Sequence, residues 1–162
     1  MRREDKYPET DTFVYYNRNP KNRLTSDCVV RAISTAMDID YDRVLFEMAY
    51  IASETGYGVT DTKCVDAYMK YYGWKKYRQP RHRDNTKFTG KQFCRWLSLN
   101  CENGAAGYIL CNIGGNHMVA IKPTNHDGIN CQYKVHDIWD STDGCIGNYW
   151  VAGSIEMDGE VR

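Results

Sequence analysis

The sequence predicts an α+β domain, with N-terminal helices packed on a C-terminal antiparallel sheet. Apolar residues recur at helical spacing through the first hundred positions. Beyond Gly104 they recur as short strand-like runs, and cap or turn residues bound most segments. At 162 residues the chain is long enough for one domain with a real hydrophobic core. The expected organisation is an irregular polar segment over 1–26, a single domain over 27–155 and a tail over 156–162.

Turn chemistry at Asn17-Arg18-Asn19-Pro20-Lys21-Asn22 sets the irregular start apart. A first helix is expected over Cys28–Met37, capped by Ser26 or Asp27, with Val29, Ala32, Ile33 and Ala36 facing the core. A second starts at the cap Asp40, carries Val44, Leu45, Met48 and Ile51, and ends at Gly56 and Gly58. A third follows the cap Asp61, with Val65, Tyr68, Met69 and Tyr72 on one side and Gly73 as its stop. Trp74–Tyr77 reads as a short strand, and a fourth helix runs from a Thr89 cap through Phe93, Trp96 and Leu97. Strands are expected over 107–111, 117–121, 133–138 and 148–151.

Lys and Arg number 21 against 21 Asp and Glu, so no global charge points to nucleic acid or a membrane surface. No apolar run reaches membrane-spanning length, and Met1–Lys6 has no signal-peptide character, so a cytoplasmic protein is expected. The seven cysteines, at 28, 64, 94, 101, 111, 131 and 145, form no C-x-x-C pair. Neither a zinc ribbon nor a disulfide framework is expected, and most of these thiols should be small core residues.

Cys28 stands apart by position. It falls at the predicted start of a helix, where the helix end favours a thiolate. His117 opens a predicted strand in Gly115-Asn116-His117-Met118-Val119-Ala120, and Asp137 lies near the end of the next. Antiparallel neighbours bring the start of one strand beside the end of the other. Thiol catalysis needs a thiolate, a proton-handling imidazole and a group holding that imidazole in the right tautomer, which these residues can supply. It needs no metal or cofactor. Alternative bases are His126 and His136, and Asp140 is a rival to Asp137.

The order Cys-on-helix, His-on-strand, Asp-on-next-strand resembles the papain-like cysteine peptidase superfamily, closest to the bacterial peptidases that process double-glycine leader peptides. Asp27-Cys28-Val29-Val30-Arg31-Ala32-Ile33, the His117 segment, Asp137-Ile138-Trp139-Asp140-Ser141 and Gly147-Asn148-Tyr149-Trp150 together resemble a group of small uncharacterised bacterial and bacteriophage proteins, over about residues 19 to 150. The resemblance implies a papain-like fold, Cys28 as nucleophile, His117 as base and Asp137 as orienter. Papain-like enzymes place an amide upstream of the Cys as an oxyanion donor. By carry-over this is Asn22, with Asn19 as rival, acting with the Cys28 N–H. Asp27 reads as a helix cap facing the backbone. Cys-x-x-Arg-Ala also resembles ovarian-tumour-type deubiquitinases, but the Gly-Asn pair before the Cys and the late His of those enzymes are not matched.

The expected activity is therefore a cysteine-dependent peptidase or isopeptidase acting on a peptide or protein substrate through a thioester. A transglutaminase-type acyl transferase uses the same order of residues. A papain-like scaffold serving as a binding or inhibitory module, for example a phage protein acting on a host factor, is the non-enzymatic alternative. Lys75–Arg83 carries five basic residues in nine and is a candidate nucleic-acid contact or a solvated loop. Trp139, Tyr149 and Trp150 are candidates for a substrate cleft or for core packing.

Overall fold

The computed structural model describes residues 1–101, 107–124 and 131–152. A short helical turn, α1 (Arg3–Lys6), precedes β1 (Phe13–Tyr15). Three helices follow: α2 (Cys28–Met37), α3 (Tyr41–Thr55) and α4 (Thr62–Tyr71). Then come β2 (Trp74–Tyr77), α5 (Gly90–Asn100), β3 (Ile109–Ile113), β4 (His117–Thr124), β5 (Gln132–Asp137) and β6 (Ile146–Ala152).

The helix boundaries follow the local chemistry. Asp61 caps α4 by accepting from the Lys63 N–H at 2.8 Å. Thr89 and Gln92 form a reciprocal capping box at the start of α5. Gly56 ends α3 in the left-handed conformation at φ 77°. α2 is buried on nearly every side from Val29 to Ala36, because it lies between the sheet and α3. On α3 only Val44 and Met48 are buried, and Leu45 lies outside the core.

The six strands form one mixed sheet in the order β1-β5-β4-β3-β6-β2. Its central strands are buried on both faces, so their apolar residues alternate between two cores. Ile109, Cys111, Val119, Ile121, Tyr133, Val135, Tyr149 and Val151 pack with Phe93, Cys94 and Leu97 of α5. Leu110, Met118, Ala120 and Trp150 point the other way, onto α2, α3 and α4. The result is three layers, with helices on both faces.

α5 packs on the face of the sheet opposite α2. Two expectations are corrected. The sheet is not wholly antiparallel, because β1 pairs parallel with β5. Residues 1–26 are not all irregular. Phe13 is fully buried, and Phe13, Val14 and Tyr15 register against Val135, His136 and Asp137. Three residues are too few for an alternating pattern to declare itself, and β1 is an edge strand recruited by its neighbour. The turn containing His126, and the tail expected over 156–162, lie outside the described residues.

Candidate active site

The site forms where α2 begins beside the ends of two sheet strands. Cys28 is the first residue of α2 and is half-buried. The N–H groups of the first helical turn have no partner within the helix, so they present partial positive charge at the sulfur.

His117 reaches the site because the β3–β4 connection is tight. Ile113 pairs with His117, leaving only Gly114, Gly115 and Asn116 to turn the chain. Both glycines have positive φ, 62° and 91°, which side-chain-bearing residues rarely adopt. Asp137 ends β5. Continuing the register of Ala120 with His136 sets Asp137 opposite Val119, so His117 is its diagonal neighbour. The Asp137 carbonyl accepts from the Tyr16 N–H at 2.8 Å, and Arg3 Nε donates to the next carbonyl, Ile138, at 2.8 Å. The N-terminal segment thus fixes the backbone that carries the carboxylate.

His117 Nε2 bonds Asp137 Oδ2 in a short contact, leaving Nδ1 for the thiol. Burial alone pushes the Cys28 thiol up. Hydrogen bonds from the His117 ring and the Met118 N–H, together with the charge on His117, outweigh burial and the opposing charge of Asp137, and the thiol is lowered. Burial alone would likewise lower His117. Its bonds to Asp137 and Cys28, and their charges, instead raise it to about 9. The two shifts favour a thiolate beside an imidazolium. Cys64, Cys94 and Cys111 move the opposite way, pushed up chiefly by burial.

Asp27 occupies the N-cap position but does not cap, which corrects the expectation for it. Its ψ of 24° departs from the extended conformation that turns a cap side chain onto the helix N–H groups. The carboxylate faces sideways instead. Oδ1 forms a short ion pair with Arg31, and Oδ2 accepts from Tyr41 Oη at 2.7 Å and Asn19 Nδ2 at 2.9 Å. Arg31 Nη2 also donates to Asp137 Oδ1 at 3.2 Å.

Cys28, His117 and Asp137 therefore meet. Asn22 is not brought into that contact. It sits in an exposed turn at φ 51°, and its side-chain oxygen accepts from Asn17 Nδ2 at 3.2 Å. Asn19 spends its amide N–H on Asp27. Asp140 accepts from the Thr142 N–H at 2.9 Å within its own turn. His136 bonds the Lys134 carbonyl through Nδ1 and packs edge-on to Tyr16, and burial holds its pKa down at about 4. Trp139 lies against the His117 ring, with centroids 4.9 Å apart, whereas Tyr149 and Trp150 belong to the core.

Arg31 and Tyr41 are site residues that carry little signal in the sequence. The i, i+4 spacing of Asp27 and Arg31 is the available one, and it acquires meaning only when Asp137 is seen beside Arg31. In the basic stretch, Lys76 pairs with Asp66 at 2.9 Å and lies over the Trp150 ring, and Arg81 donates to the Asn85 carbonyl at 2.9 Å. Lysines on the edge strand β2 also discourage edge-to-edge pairing. Among the described residues no helix is long and apolar enough to cross a membrane.

No family model matches the chain, and neither the curated proteins nor the solved structures contain a match.

Proposed function

We propose that the protein is a papain-like cysteine hydrolase that cleaves a peptide or isopeptide bond, acting in the cytoplasm. The observation that carries this is the contact of Cys28, at the head of α2, with a His117 that is itself held by a buried carboxylate. A helix carrying the thiol, packed on a sheet carrying the other two groups, supports the papain-like reading of the fold.

In the proposed reaction the Cys28 thiolate attacks the carbonyl carbon of the scissile amide. A C–S bond forms, and the carbonyl π-electrons move onto oxygen as an oxyanion. The Cys28 N–H, in the first turn of α2, is the nearest candidate to stabilise it. As the tetrahedral intermediate collapses, the C–N bond breaks and His117 gives its proton to the leaving amine. Water, deprotonated by His117, then adds to the thioester carbonyl; the C–S bond breaks, the acid is released, and the thiolate–imidazolium pair is regenerated. Asp137 keeps the proton on Nε2, so that Nδ1 handles the proton exchanged with sulfur and substrate.

The experiment is incubation of wild type and Cys28→Ser with a peptide library, with cleavage read by mass spectrometry and Cys28 alkylation by iodoacetamide followed across pH. Cleavage at defined bonds that is lost in Cys28→Ser is the expected result. Transfer of the acyl group to an added amine in place of hydrolysis identifies a transglutaminase-type enzyme. A Cys28 that alkylates near neutral pH no faster than the exposed Cys145 overturns the enzymatic reading in favour of a binding module.

A further inference from the structure

We propose that Arg31 and Asp27 form a charge-balanced clamp that positions Asp137 and sets the ionisation of the Cys28–His117 pair. This role of Arg31 rests on the triad reading and goes beyond it.

The geometry comes first. Arg31 follows Cys28 by three residues on α2, the spacing that places side chains on one face of a helix. Its side chain is 5% exposed and that of Asp137 4%. One arm of the guanidinium holds Asp27 and the other holds the Asp137 oxygen that His117 does not use. Asp137 is thus fixed from both sides and cannot rotate without losing a charged partner. Nη1 also donates to the Thr25 carbonyl at 3.3 Å, while Nε is buried with no hydrogen-bond partner, so the fork holds both carboxylates and leaves one of its own donors unsatisfied.

Charge supplies the second half of the inference. In the ion-pair state Cys28, Asp137 and Asp27 are negative, and His117 and Arg31 are positive. Without Arg31, two carboxylates and a thiolate would share one imidazolium, and loss of a proton from the Cys28–His117 pair would become harder. Asp27 in turn prevents Arg31 from neutralising Asp137, which has to hold the imidazolium. Asp27 is itself anchored by Tyr41 from α3 and Asn19 from the N-terminal segment. The neutral Trp139 covers the His117 ring from the loop after β5, and His136 of β5 faces Tyr16. Among the described residues, the charged group in contact with the pair is Asp137, and Arg31 and Asp27 act on the pair through it.

The clamp makes a signed prediction that a merely structural pair does not. Arg31→Met should move the inflection of Cys28 alkylation up by about one pH unit. Asp27→Asn keeps the acceptor for Tyr41, removes the negative charge and should move the inflection down by a similar amount. The double variant Asp27→Asn/Arg31→Met restores the net charge and should return the inflection to near the wild-type value. Its turnover should stay at least about tenfold below wild type, because Asp137 has lost one of its two holders.

The assay is iodoacetamide alkylation of Cys28 across pH with mass-spectrometric site assignment, with a thermal melt of each variant. If Arg31→Met does not fold, the Asp27→Asn arm decides, because that variant keeps the Arg31 contact with Asp137. Inflections of Arg31→Met and Asp27→Asn that coincide with wild type, or move in the same direction, overturn the clamp while leaving the triad standing. A wild-type Cys28 with no activated thiol overturns both.

Discussion

Asp137→Asn is the substitution whose effect the geometry constrains most tightly. Asp137 accepts from two donors, His117 Nε2 on one oxygen and Arg31 Nη2 on the other. Asparagine has one acceptor oxygen and an amide nitrogen that can only donate, so one of the two donors must face another N–H. The carboxylate charge is lost as well. The rise of His117 from 6.5 to about 9 corresponds to about 3 kcal/mol in favour of the imidazolium. Asp137 supplies the largest favourable part of it, against burial that pulls the other way. In the variant His117 should titrate at or below its ordinary value, and the Cys28 thiol should rise as the imidazolium beside it is lost. A displacement of about one pH unit is a roughly tenfold change in the thiolate present at a fixed lower pH. Alkylation of Cys28 at about pH 6 should accordingly fall by at least about tenfold, with Cys145 alkylation unchanged as the internal reference. Peptide cleavage should fall at least as far. An Asp137→Asn profile superimposable on wild type would refute the reasoning, because the carboxylate would then have no part in setting the pair.

The pH–rate profile of kcat/KM should be bell-shaped. Its acid limb should lie below the ordinary thiol range, where Cys28 gains its proton, and its alkaline limb near 9, where His117 loses the proton it must deliver. A single rising limb through the ordinary thiol range would be inconsistent with the ion pair. Gly115→Ala, at φ 91°, should destabilise the protein by about 1–2 kcal/mol in a denaturant melt and depress cleavage further than that loss explains, because this turn delivers His117.

Much of this arrangement is legible in the sequence because its elements carry local signals. The α2 boundaries follow from a continuous apolar face starting at Cys28, α5 from the Thr89–Gln92 box, and β4 from the apolar run after two glycines. His117 and Asp137 can be paired on paper because antiparallel neighbours obey a simple register. What stays hidden depends on contacts distant in sequence. β1 has three residues and becomes a strand only because β5 offers an edge. The side of the sheet covered by α5 is not encoded in its own periodicity, since either face offers an apolar surface. Asp27 reads as a cap from its type and position, yet the local backbone turns it away and Arg31, Tyr41 and Asn19 capture it. The upstream amide can be located only by counting residues from Cys28, and counting does not reveal that Asn22 turns toward Asn17.

The three proposed reacting side chains all sit on terminal residues of regular elements: the first of α2, the first of β4 and the last of β5. End positions leave a side chain free to reach out of the layered core while its backbone stays tied to that core. Met118 and Ala120 anchor β4 under α2 immediately after His117, and Val135 anchors β5 two residues before Asp137. Both faces of β4 are buried, so a slip of one residue would exchange the small Ala120 under α2 for the larger Val119 or Ile121, and side-chain size in the two cores protects the spacing of His117 and Asp137. The same argument explains why an acidic residue is tolerated next to the proposed nucleophile. Asp27 lies one position outside the helix, where its backbone is free to depart from the cap conformation. Its charge is then held by a guanidinium that rises from the next turn of the same helix, so α2 carries both the thiol and the cation that offsets the thiol's acidic neighbour.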